Sequence, residues 1–414
     1  KRASADSLSG DVFALAERAA GFAANNVTMW LDQARLNRNR YFGNYWIHHN
    51  SESDLANIES ALIDLRFTRE GMSEHRWFKM GDGGQGLGLG VMSDEQIAGF
   101  MKFAPANAHL VQVHAATAAE DLSSIIEQSL FGALPEESWS PPEIPDRTRS
   151  RGDEDQLTRF ERYSRLDSRF DIDVDDEQAP RRGPAVRDQG SSKPDNQLSA
   201  SAFAKGVAPL LASVSTTSYC ELVRSQSEAG KPFVRFERAI VAQLKPDAAV
   251  NRDALERAIV DELRARFVVA GTRPRLDWQD EGAIRFVAQS LLEQGAAYSV
   301  SGNYLVLASS KEFASDILQA AKNARPAAER VGSPVDFYAL IRVAAAKPAF
   351  DALMSKLDGR DQPTLSHVKK DDEEREVKFF SENISSLVAA SAIREVRLTR
   401  QSGPIATEQV YYLW

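Results

Sequence analysis

Apolar residues return at two different periods along this chain, and the switching between them divides it into elements. In residues 11–36, Val12, Leu15, Ala16, Ala19 and Phe22 recur every three to four positions, which predicts a helix. The same spacing predicts helices from Ser93 to Phe103, over AEDLSSIIEQSLFG, from Ala202 to Arg224, and over NRDALERAIVDELRARF, KEFASDILQAAKNA and PAFDALMSKLDG. Ser93 and Gln96 have the spacing of a reciprocal N-terminal cap. Strands are predicted in AHLVQVHAAT, KPFVRFERAIVAQL and PVDFYALIRVAA. One hairpin is predicted around Ser301-Gly302, between AAYSV and NYLVLAS, and another near Glu281-Gly282.

One unit is written twice. Residues 379–414 read as a short helix, a strand, a glycine turn and a last strand, and a shorter copy lies between Leu55 and Met80. Leu65-Arg66-Phe67-Thr68-Arg69 matches Val396-Arg397-Leu398-Thr399-Arg400. Asn57-Ile58 and Asn383-Ile384 open the two helical runs, and Gly71 and Gly403 follow the two first strands. Strands meet through short turns with helices between them, without regular βαβ alternation. That pattern predicts an α+β fold: two related modules of antiparallel sheet, each with helices packed on one face. The modules are expected over 1–134 and 201–414.

Between them, residues 135–200 mix both signs of charge with Pro, Gly and Ser. Such a segment buries too little apolar surface to offset its ordering entropy, so a disordered linker is expected. Within it Leu157, Phe160, Tyr163, Leu166 and Phe170 form a narrow stripe at helical spacing. This stripe, 157–170, is a candidate docking helix that folds on a partner.

Composition narrows the function classes. With 414 residues, 43% hydrophobic and 26% charged, the chain has the profile of a globular protein of more than one domain. A net charge of −9 argues against broad nucleic-acid binding. No apolar run reaches the roughly eighteen residues of a membrane span, which leaves peripheral association open. Cys220 is the sole cysteine, so no intramolecular disulfide forms; the thiol reads as a small buried hydrophobe. The chain opens on Lys1-Arg2, which reads as the flank of a processed segment.

Candidate chemistry is sparse. Gly81, Gly83 and Gly86 formally match a dinucleotide loop after a strand, but GLGLGVM intervenes before the next helix, where pyrophosphate would need free N–H groups. His48 and His49 are the best metal candidates; as neighbours on a strand they would point to opposite faces, and further ligands would have to come from Glu74, His75, His109 or His114. The run from Asp171 to Glu177 begins like a calcium loop but lacks the central glycine and has Arg182 at the twelfth position. No cofactor is therefore expected. Tyr41, Phe42, Tyr45 and Trp46 crowd one short stretch and are candidates for a partner-binding surface.

RFERAIVAQL, AAYSVSGNYLVLASSKEFA and the closing FFSENISSLVAASAIREVRLTRQSG with VYYLW resemble a group of uncharacterised bacterial envelope proteins built from repeated α/β modules. The resemblance lies mostly in 230–414 and carries no catalytic residue. It implies export to the periplasm or cell envelope, with the cytoplasm as the alternative. The expected function is that of a non-enzymatic structural or interaction protein, an accessory subunit or scaffold of an envelope-associated assembly that binds other proteins. One alternative is an enzyme, either a metal-dependent hydrolase using His48 and His49 or a nucleotide-binding enzyme using Gly81–Gly86. Another is a small-ligand or peptide-binding module.

Overall fold

β-Branched and aromatic side chains favour the half-buried surface of a sheet, and among the described residues they place thirteen strands. These are β1 (Val27–Leu31), β2 (Ile58–Phe67), β3 (Gly71–Met80), β4 (Leu110–His114), β5 (Ser215–Ser227), β6 (Val234–Leu244), β7 (Gln279–Glu281), β8 (Ile284–Ala288), β9 (Gly295–Ser301), β10 (Tyr304–Ala308), β11 (Phe337–Arg342), β12 (Glu395–Gln401) and β13 (Ile405–Leu413). The helices are α1 (Gln33–Arg38), α2 (Asp94–Met101), α3 (Ala119–Phe131), α4 (Ala202–Val214), α5 (Arg252–Phe267), α6 (Lys311–Asn323) and α7 (Val343–Leu357). The computed structural model describes residues 26–38, 58–81, 90–115, 118–131, 202–227, 234–267, 276–288, 295–324, 331, 334–357, 392–403 and 405–414.

The strands form one antiparallel sheet in the order β1-β2-β3-β13-β12-β11-β4-β5-β6-β10-β9-β8-β7. The α+β class and the antiparallel pairing expected from the sequence are both present. The order is nested. Strands β4 to β10, from the middle of the chain, make one half. Strands β1–β3 and β11–β13, from its two ends, make the other half, a wing. Strands from before residue 134 and after residue 201 therefore share a sheet, with β4 hydrogen-bonded to β11 on one side and β5 on the other. Helices α3 and α4, which flank 132–201, pack on each other through Leu122, Ile126 and Leu130 against Phe203, Val207 and Leu211.

Helices cover both faces of the middle half, which corrects the expectation of one covered face. On the first face, Ile97 and Phe100 of α2 and Phe313 and Ile317 of α6 pack on Val113, Cys220, Val241, Val306 and Tyr338. On the second, α3, α4 and α5 pack on Tyr219, Ile240, Leu305 and Leu307. The reason lies in the apolar runs AIVAQL and YLVLA. A strand with one wet face alternates, whereas these have neighbouring residues buried on opposite sides: Ile240, Val241, Leu305 and Val306 are each at most 1% exposed.

Three helical expectations are overturned in detail. The helical run expected from Ile58 is instead the first part of strand β2, which continues through the expected strand residues Leu65–Phe67; it lies between β1 and β3, so adjacent Ala61 and Leu62 are both buried on opposite faces and mimic a helical spacing. Val27–Leu31, expected as helix, is strand β1, with β-branched Val27 and Thr28 and the aromatic Trp30. The helix from Ala202 stops at Val214, and Ser215–Ser227 is strand β5, with the β-branched Thr216 at the switch. Elsewhere the local signals hold. Ser93 and Gln96 form the reciprocal cap of α2, and Ser310 caps α6. Gly282 and Gly302 take φ of 63° and 58° at the two hairpin turns.

Two buried arginines join layers. Arg224 of β5 bridges Glu237 of β6 and Asp316 of α6, with its guanidinium 4.5 Å from the Phe313 ring. Arg266 of α5 bridges Glu127 of α3 and Glu262 of its own helix.

Candidate interaction surface

Antiparallel pairing puts directly opposed residues on the same face. The register can therefore be followed from strand to strand. At one end of the wing this gives a row on the second face: Phe67, Met72, Tyr412, Val396 and Ile341, from β2, β3, β13, β12 and β11. All five are apolar or aromatic. Phe67 is 53% exposed and Ile341 38%. Val27 and Met29 of β1 stand on this same face, by their pairing with Leu65 and Ile63, and are 42% and 39% exposed. Middle-half helices bury the equivalent face, while on the wing Phe67, Ile341, Val27 and Met29 stay exposed and Met72, Tyr412 and Val396 are half-buried.

Two rows further along the strands, the same face turns charged and then aromatic. Arg76, Glu408 and Arg400 succeed one another across β3, β13 and β12, followed by Phe337, His114 and Tyr219 on β11, β4 and β5. Arg76 donates to Glu74 at 2.6 Å and lies 3.4 Å from Glu408 and 3.5 Å from the Tyr412 hydroxyl. Burial works to lower the Arg76 pKa, but Glu74, Glu408 and Tyr412 outweigh it and hold the guanidinium above its ordinary value. Tyr412 is pushed up, first by burial and then by Glu74. Its hydroxyl therefore stays protonated across the physiological range.

The aromatic end of that row is closed. The His114 ring stacks on Tyr219 with centroids 4.5 Å apart and meets Phe337 edge-on at 4.8 Å. Burial, then the charge of Arg400, pushes the imidazole down to about 4. It is a neutral packing group at neutral pH. Tyr219 is pushed up by burial and by Glu221, Asp121 and Cys220. Cys220 faces the opposite core, fully buried, and burial pushes its thiol up. A protonated, enclosed thiol is a poor nucleophile, in keeping with the sequence reading.

The sequence candidates fall differently. Tyr41, Phe42, Tyr45, Trp46, His48 and His49 lie outside the described residues, as do Gly83, Gly86 and Leu157, Phe160, Tyr163, Leu166 and Phe170. Gly81 directly follows β3. Glu74 and His75 are neighbours on β3 and face opposite ways. His109 contacts the Ser225 hydroxyl at 3.5 Å, whereas His114 is held in its aromatic stack. Among the described residues no three His, Cys, Asp or Glu side chains gather in a group that could hold a metal. The apolar row itself was missed. Its signal is the alternation in LRF, EVRL and VYYLW, but which side of each strand is wet depends on the sheet's neighbours.

No protein-family model, curated protein or solved structure matches this chain. Among the described residues, no helix is long and apolar enough to cross a membrane.

Proposed function

We propose that this chain is a non-enzymatic interaction protein, an accessory or scaffold subunit of a bacterial envelope-associated assembly. The observation that carries the reading is the apolar row Phe67, Met72, Tyr412, Val396 and Ile341, exposed at Phe67 and Ile341 and half-buried between them, with a ladder of both charge signs two rows away. An apolar strip bordered by paired charges has the anatomy of a protein-binding patch, whose apolar centre supplies affinity and whose charges fix orientation. The occupant is a protein partner that lays an apolar ridge along the strip and matches Arg76 and Glu408 with charges of its own.

The hairpins β2–β3 and β12–β13 read as copies of one unit in this proposal. Their second strands pair side by side, with β1 and β11 flanking them symmetrically. The two copies of the repeated unit would then be the two sides of the wing. The stripe Leu157–Phe170 would supply a second contact that folds on the partner.

The test is affinity purification of the full chain from its native host, with the wild type beside a Phe67→Glu, Ile341→Glu double variant. We expect a stoichiometric protein partner on the wild type, at least tenfold depleted on the variant at unchanged thermal stability. Equal recovery on both proteins would overturn the reading. So would a stoichiometric metal or nucleotide with no partner protein.

A further inference from the structure

The sheet has two edges, and they are built differently. The β7 edge is three residues long and carries Asp280 and Glu281, ion-paired to Arg285 and Lys311. Shortness and charge are the usual guards against unwanted strand pairing. At the other edge, β1 reads Val-Thr-Met-Trp-Leu, with no charge, no proline and no glycine. It is hydrogen-bonded to β2 on one side, and among the described residues no strand pairs with its other side. Alternate residues of such an edge direct their backbone N–H and C=O groups outward, where they can accept another strand.

We propose that β1 is a homodimerisation edge on which the β1 strand of a second copy pairs antiparallel, with Met29 on the twofold axis. The inference goes beyond the partner-binding row and rests on a different element. It commits to a second copy because the strand is complementary to itself. A twofold axis at Met29 sets Val27 opposite Leu31 of the other copy and Thr28 opposite Trp30. Every opposed pair is then uncharged: Val27 meets Leu31 and Met29 meets Met29 on one face, and Thr28 meets Trp30 on the other. No other centre pairs all five residues.

The contrast with β7 decides between a closed and an open assembly. Pairing β1 of one copy with β7 of the next would grow a filament, but it would set two carboxylates against an uncharged strand and could use only three residues. The isologous β1–β1 contact closes after two copies. Val27 and Met29, exposed on the second face, would be flanked in the dimer by Leu31 and Met29 of the other copy.

The full chain is examined by sedimentation equilibrium and by cysteine crosslinking. Wild type should sediment at twice the 45.7 kDa chain mass at tens of micromolar, and Met29→Lys, which places two like charges on the axis, should sediment at the chain mass with an unchanged circular dichroism spectrum. The crosslinking arm tests register. Directly opposed residues lie within disulfide reach, about 5 Å between α-carbons. Met29→Cys should therefore give a covalent dimer on mild oxidation, whereas Val27→Cys, about 13 Å from its mate, should not. The buried Cys220 serves as an internal control. A wild-type monomer at every concentration, or equal crosslinking of both variants, would overturn the inference. A monomer that still recovers its partner in the affinity experiment would refute the second copy alone and leave the interaction reading standing.

Discussion

The carbonyl oxygen of Tyr412 lies so close to Gly71 that a methyl group added to the glycine would stand 2.0 Å from it. Gly71 begins β3 and pairs with Leu413 at the end of β13, so this contact is where the two hairpins meet. Gly71→Ala must push β3 and β13 apart at this contact. Overpacking of this kind costs about 1–3 kcal/mol. A thermal melt should show a midpoint several degrees lower, and Gly403→Ala, with its nearest neighbour at 3.6 Å, should change it little.

Removal of residues 405–414 should do more than fray a terminus. Strand β13 is hydrogen-bonded to β3 on one side and β12 on the other, and the Trp414 indole donates to the Arg69 carbonyl at 3.1 Å. Without β13, β12 and β3 each lose a neighbour. Hydrogen exchange should show amide protection collapsing in β2, β3 and β12 while β5, β6 and β10 retain theirs.

Burial should rank the effects within the Arg224 network. Glu237 is 2% exposed and Asp316 48%. Glu237→Gln leaves a buried guanidinium short of its enclosed counter-charge and should cost about 3–5 kcal/mol. Asp316→Asn removes a partner that water largely replaces and should cost about 1 kcal/mol or less. Denaturant titration of both variants measures the ratio, and equal losses would contradict the ranking.

His114 should make stability fall with acidification over a defined window. In the folded protein its pKa is about 4, against about 6.5 unfolded. The unfolded chain therefore binds the proton first as pH falls. The stability contributed by neutral His114 is complete above about pH 6.5, declines towards pH 4 and is flat below, with a total change of about 3 kcal/mol. Urea unfolding at pH 7 and pH 4.5 should show a smaller pH dependence for His114→Gln than for wild type.

Cys220 should resist thiol reagents in the native protein, being enclosed and held protonated. Labelling with a chromogenic disulfide should be at least a hundredfold slower than after unfolding in denaturant.

Local physics was legible where it was self-contained. The cap formed by Ser93 and Gln96, the glycine turns at Gly282 and Gly302 and the periodic faces of α5 and α6 are contacts within a few residues. They appear in the structure as read. The run from Ile58 to Asp64 reads as helix because burial from two sides erases the strand's period, whereas Leu65–Phe67 is strand as expected. The helix from Ala202 reads ten residues into β5, to Arg224, because Tyr219, Cys220, Leu222 and Val223, buried on both faces of that strand, keep a helix-like spacing. The interaction row could not be read at all. Its members come from five strands spread from Phe67 to Tyr412, and only the register lines them up.

The sequence by itself determined an α+β chain with antiparallel hairpins, a repeated LRFTR and VRLTR strand, and a single thiol fit for a core. Tertiary structure decided that both copies share one sheet, since β3 and β13 could satisfy their edge hydrogen bonds on each other. It also decided which faces helices cover and which strand remains an edge. Those outcomes depend on pairings between residues more than three hundred positions apart, such as His75 with Gln409, and no local period along the chain encodes them.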